Sequence, residues 1–263
     1  MKLSALALFS VICSANAGSR PTLSVTIKDG QYDCPQGLDP TVSWSNTGAA
    51  GDLDIEYGIE ASALPTSDIA SLPKNIWGKA SGTVGGWGVS ARAEFEGTDF
   101  TQAAIDIDAS DETSAVHVDA SAGTTSFTVD KVTATKTFDA DGGSVTVNPR
   151  YTLESGDADV VVTYEKSETS IEVTASQSEQ SITVSRQVDD DNRLAPTVGS
   201  DGSFSVEWER SLGDDNSLTT TVTPNESVDF EWKDNEWTAN VNVAIDGTEI
   251  TGTNVSVKRE VSF

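Results

Sequence analysis

From Thr22 onward the dominant pattern is an alternation of apolar and polar residues with a period of two. Leu23, Val25 and Ile27 alternate with Ser24, Thr26 and Lys28, and Leu53, Ile55, Tyr57 and Ile59 alternate with Asp54, Glu56 and Gly58. Ile171, Val173 and Ala175 oppose Glu172 and Thr174, while Phe204, Val206 and Trp208 oppose Ser205 and Glu207. The longest clean run is Trp237, Ala239, Val241, Val243 and Ile245. Successive side chains of an extended chain point to opposite faces, so each run predicts a strand with one apolar and one polar face. The Val, Ile, Thr, Phe and Trp that fill these runs also suit a pleated surface.

Turn signals cut the pattern at short intervals: Asp29-Gly30, Glu96-Gly97, Asp141-Gly142, Ser155-Gly156, Asp201-Gly202, Gly213-Asp214, Pro224-Asn225 and Asp246-Gly247. Asp-Gly between alternating runs marks a hairpin, because both residues accept positive φ. The spacing predicts an all-β fold, an antiparallel meander of about sixteen to eighteen strands. Two stretches break the rhythm. Residues 63–80 carry Pro65 and Pro73 and the spacing Ile69, Leu72, Ile76, which predicts a long loop with one helical turn, capped by Ser67 and ended by Pro73. The stretch from Gln187 to Val198, with three consecutive aspartates and Pro196, reads as irregular.

Composition changes the picture at the N-terminus. Residues 1–17 hold one Lys, an apolar run from Leu3 to Cys13 and the small-x-small ending Ala15-Asn16-Ala17, the layout of a secretory signal peptide cleaved after Ala17. Residues 18–263 then form a single β-meander domain. Of the two cysteines only Cys34 stays with that domain, so it has no internal disulfide partner and is read as a small filler. The formal charge is −26. It excludes nucleic acid as a partner, since phosphate binding needs clustered Lys and Arg, and it leaves cations, neutral solutes or plain solubility.

Candidate chemistry is sparse. His117 is the single histidine and falls on the polar side of its run, with no second His or Cys for zinc and no Gly-x-Ser-x-Gly elbow elsewhere. The stretches from Asp106 to Glu112 and from Asp189 to Arg193 offer close-spaced aspartates but lack the Gly and Glu positions of a calcium loop. Both are read as solvated loops. No catalytic residue, metal or cofactor is assigned, and no enzymatic activity is expected. Trp208, Trp232 and Trp237 lie on the apolar side of three successive strands, as core residues or membrane-interface aromatics do.

Two architectures fit this pattern. A closed barrel of this strand number has a lumen too wide for side chains to fill, so its apolar face must meet lipid and its polar face water. The alternative is a soluble exported β-sandwich or open meander that buries its apolar faces and serves as a binding or structural module. The barrel requires Arg186, Arg210 and Arg259, which fall on the apolar side, to sit near a rim, because a charge at the bilayer midplane costs about 2–4 kcal/mol. The regular hairpins favour the barrel.

The last strand, alternating up to Phe263, resembles the final strand of outer-membrane β-barrels. The segments DIEYGIEA, DIASLPKNIWGKA, GWGVSARAE, DDDNRLAPTV, SLGDDNSLTTT and EWKDNEWTANVNVAIDGT resemble a family of exported β-rich proteins of diatoms and related algae with secondary plastids. That resemblance implies no catalytic residues. It implies an envelope membrane, the secretory lumen or the cell exterior, since Gly18 follows the cleavage site and the strand pattern leaves no length for a transit peptide. The expectation is therefore a porin-like membrane barrel that contacts lipid through Trp208, Trp232, Trp237 and Phe263. Its acidic lumen, lined by Asp54, Glu56, Glu172, Glu207, Asp229, Glu231 and Asn240, would pass small cationic or neutral solutes.

Overall fold

A computed structural model describes residues 22–28, 38–63, 66–213 and 215–262 of the chain. The alternating runs become eighteen strands. The first six are β1 (Thr22–Lys28), β2 (Leu38–Ala50), β3 (Leu53–Ser62), β4 (Pro73–Val84), β5 (Trp87–Glu96) and β6 (Gln102–Ser110). The next six are β7 (Ser114–Gly123), β8 (Phe127–Ala140), β9 (Gly143–Thr152), β10 (Ala158–Lys166), β11 (Thr169–Ser176) and β12 (Gln180–Gln187). The last six are β13 (Asn192–Gly199), β14 (Phe204–Gly213), β15 (Asn216–Thr223), β16 (Ser227–Asp234), β17 (Trp237–Asp246) and β18 (Glu249–Ser262). Cys34 and Phe263 lie outside the described residues, as does the leader-like segment 1–17.

Each strand pairs antiparallel with the strand before and the strand after it. β1 also pairs with β18, with Thr22 opposite Ser262 and Lys28 opposite Ser256. The sheet therefore closes on itself as a barrel and has no free edge. This overturns the sandwich alternative: one continuous ladder returns to its own start, and among the described residues there is no second sheet to stack against. The strands lean strongly. The hydrogen-bonded row from Trp237, the first residue of β17, runs through Arg259 and Val25 to Pro40, near the start of β2 at the opposite end. Such stagger is what closure of a twisted sheet requires.

The two ends differ. At the end that carries Thr22 and Ser262, the β2–β3, β4–β5, β8–β9, β10–β11, β14–β15 and β16–β17 hairpins each turn in two residues. Gly51, Gly85, Gly142, Ser167, Asp215 and Asn235 take positive φ there, as tight hairpins need. At the other end the connections are mostly longer. The 63–72 loop contains a 3-10 turn at Ile69–Ser71, capped by Asp68, whose carboxylate accepts from the Ala70 amide at 3.0 Å. The expected cap at Ser67 is thus displaced by one residue, and Pro73 opens β4 instead of ending a helix.

The stretch expected to be irregular around Pro196 is mostly β13. Proline has no N–H to give, and the β12–β13 ladder skips from Thr183↔Thr197 to Arg186↔Leu194 around it. Pro149 opens a similar gap in β8–β9, where the Asn148 side-chain Nδ2 donates to the Ala134 carbonyl at 3.0 Å in its place.

The register sorts side chains into two faces. Leu194, Trp208, Thr220, Phe230, Val241 and Val255 form one row across six strands. Phe95, Ile76, Ile59 and Trp44 form another on the same face. Among the described residues the buried apolar side chains are Ala103, Ala120 and Ala195, and no large side chain is fully buried. The described residues form no packed core.

Candidate functional site: the polar face of the barrel

The face opposite the apolar rows is polar from strand to strand, and all seven residues expected to line a lumen lie on it. Asp54 and Glu56 stand on β3, Glu56 opposite Lys79. Glu172 faces Thr163 and Thr183, and Glu207 faces Ala195 and Thr221. The register brings three of the seven together. Glu231 lies opposite Asn240, and Asp229 two residues away accepts from Asn242 and from Ser227, the latter at 2.8 Å. Asp54 and Glu56 form a second pair on β3, and Glu172 and Glu207 stand on separate strands, β11 and β14.

Several cations of this face are neutralised locally. Arg150 binds Asp159 through two bonds of 2.7 Å. Lys233 meets Glu231 at 2.6 Å, and Arg193 reaches Glu209 at 3.5 Å and Ser185 at 3.0 Å. Carboxylates outnumber cations here, so the face as a whole is negative.

Two clusters were not legible in the sequence. The Arg92 guanidinium lies 4.2 Å from the centre of the Trp77 ring and binds Glu94 at 2.7 Å. Trp77 stands opposite Gly58 and Glu94, so it is an aromatic of the polar face. The alternation around it was the available signal: Ile76 takes the apolar side, which leaves Trp77 the other. The second cluster surrounds His117, which is half-buried and stands on the polar face, the side its alternation predicts. Its Nδ1 lies 2.6 Å from Asp108 Oδ1 and its Nε2 lies 2.8 Å from Asp119 Oδ1. Asp106 stands directly opposite Asp119, with Arg92 beyond it on β5 and Lys131 opposite Asp119 on β8. The sequence shows Asp106 and Asp108 on one face of β6, but only the β6–β7 register puts His117 beside them.

The aspartate-rich turns fold on themselves. Asp189 Oδ1 accepts from the Asn192 side chain at 2.7 Å and from the amides of Asp191 and Asn192 at 3.0 and 2.8 Å. Asp111 Oδ1 accepts from the Thr113 and Ser114 amides at 2.8 and 2.7 Å. These bonds favour the ionised form. The Asn192 side chain holds Asp189, and the Thr113 amide holds Asp111, below the usual carboxylate range.

On the apolar face Trp208 donates from Nε1 to Asn192 Oδ1 at 3.0 Å. Trp232 faces Leu218 and Ala239. The Arg259 guanidinium lies 4.9 Å from the Trp237 ring centre and 2.9 Å from Glu236. Arg186 is one residue from the end of β12, Arg210 pairs with the first residue of β13, and Arg259 with the first of β17. All three lie at the short-turn end, together with Lys136 and Lys166.

No family model matches the chain, and a search of curated proteins found no match. Among solved structures, mutant forms of the porin of Rhodopseudomonas blastica align over 93% of this chain and 99% of theirs, with a TM-score of 0.49 and 7% identity. A structure described as "Asymmetric conductivity of engineered proteins" aligns with the same coverage, score and identity.

Proposed function

We propose that the protein spans a membrane as a β-barrel and passes small cationic or neutral solutes along its acidic polar face. The observation that carries this reading is the closed ring of eighteen strands with one continuous apolar face and, among the described residues, no filled core. Strands about 4.8 Å apart and tilted by about 40° enclose a ring roughly 35 Å across. Side chains pointing inward from such a wall do not meet, so an apolar face turned inward would stay wet. Turned outward, it meets lipid, and the polar face lines water. The arginines of the apolar face support the same orientation, since Arg186, Arg210 and Arg259 lie near one rim, where a charge costs about 0–1 kcal/mol. The signal-like segment 1–17 supports entry through the secretory route to an outer or envelope membrane.

Reconstitution into planar bilayers under a salt gradient tests the proposal. We expect a conductance whose reversal potential favours cations, and retention of the protein in membranes washed with alkaline carbonate. Release by carbonate would sink the membrane barrel, and a tight membrane protein without conductance would sink the pore.

A further inference from the structure

We propose that His117, Asp119 and Asp106 form a binding site for a borderline divalent metal ion such as Zn²⁺ on the polar face of β6 and β7. The inference rests on the pore reading in one respect: that face must be reached by water. One ligand atom from each of the three residues lies within 4.8 Å of the other two. Around a tetrahedral zinc, donors at about 2.1 Å stand roughly 3.4 Å from one another. Small side-chain rotations on two adjacent strands would close that gap.

The histidine separates this cluster from an ordinary acidic patch. Carboxylates alone suit Ca²⁺ or Mg²⁺, whereas an imidazole among them favours zinc and its neighbours. Its orientation is also set. Asp108, outside the trio, takes the Nδ1 side of the ring at 2.6 Å and leaves Nε2 toward Asp119 at 2.8 Å. A carboxylate on one imidazole nitrogen fixes the tautomer and raises the basicity of the other, the usual support of a metal-bound histidine. Without metal, both ring nitrogens face carboxylates at hydrogen-bond distance. On binding, the ion takes the Nε2 lone pair, any proton held there leaves to water, and two carboxylates balance the charge of the ion. The cations facing the cluster are Arg92 and Lys131. Arg92 is already held by Glu94 and Trp77, which leaves Lys131 as the main competitor for Asp119.

Titration of the full-length protein in detergent with Zn²⁺, in millimolar Mg²⁺ and followed by calorimetry, is the test. We expect saturable binding of one ion per chain. His117→Asn should weaken it at least tenfold and Asp108→Asn by about 10–100-fold, while Glu172→Gln, remote on the same face, should leave it unchanged. Absence of single-site binding, displacement by Mg²⁺, or equal weakening by Glu172→Gln and His117→Asn would each overturn the site. Should His117→Asn not fold, Asp108→Asn and the Mg²⁺ competition still decide. Because the readout is binding, a silent bilayer experiment with intact Zn²⁺ affinity would count against the pore alone, and conductance without Zn²⁺ binding against the site alone.

Discussion

Gly58 shows how closely the wall is packed at single positions. A Cβ there would lie 2.6 Å from the Trp44 carbonyl oxygen and 2.8 Å from Cε2 and Cζ2 of Trp77. The carbonyl belongs to the paired strand and cannot retreat without breaking the ladder. We expect Gly58→Ala to cost roughly 1–3 kcal/mol, read as a lower unfolding midpoint in detergent. Gly88→Ala is the control. Its Cβ first meets the Ser110 carbonyl oxygen at 3.8 Å, so it should be neutral or slightly stabilising, because alanine loses less entropy on folding. Equal shifts in the two variants would show that the close approach is not what matters. The same close approach explains why Trp77, a large aromatic, is accommodated on the polar wall at all: the residue opposite it has no side chain.

At the scale of the strand, the two faces differ in what they meet. Val241 lies mid-strand on β17, opposite Phe230 and Val255, and its neighbour Asn240 lies opposite Glu231 and Ser256. If the Val241 side meets lipid, Val241→Arg should destabilise the folded barrel in bilayers by about 2–4 kcal/mol. Asn240→Arg, which places the same charge among carboxylates in water, should cost little. Denaturant unfolding from liposomes separates the two. Similar costs would remove the assignment of outer and inner faces. The contrast rests on alternation alone, since the two residues share strand, depth and partners in sequence.

The barrel as a whole depends on one seam. Thr26 opposes Lys258 across β1 and β18, and directly opposed residues bring their Cβ atoms to about 4.5–5.5 Å. In a Cys34→Ser background, the pair Thr26→Cys and Lys258→Cys should oxidise readily to an internal disulfide, seen as a mobility shift without reductant. The pair Thr26→Cys and Val257→Cys should not, because a one-residue step sends the second thiol to the opposite face. Ready crosslinking of the offset pair, or failure of the aligned one, would mean that the ring does not close in this register.

The alternation by itself determined the strands, their approximate number and the side of the sheet on which Asp54, Glu172, Glu207 and Trp237 fall, because a period of two is a local property of extended backbone. Turn chemistry did so only in part: Asp141-Gly142 takes the positive φ of a two-residue turn, whereas Asp201-Gly202 sits in a longer connection and the tight turns at Gly51, Ser167 and Asn235 carry no Asp-Gly. Local sequence was a poorer guide beside proline. Pro73 and Pro196 suggested breaks, yet both lie in strands, since neighbouring chains tolerate or replace the missing donor. Closure was beyond any local signal: the pairing of Thr22–Lys28 with β18 joins the two ends of the chain, and sandwich and barrel share one alternation. The gathering of His117 with Asp106, Asp108 and Asp119, and the stacking of Arg92 on Trp77, came only with tertiary structure, because cross-strand register decides which residues of a polar face become neighbours.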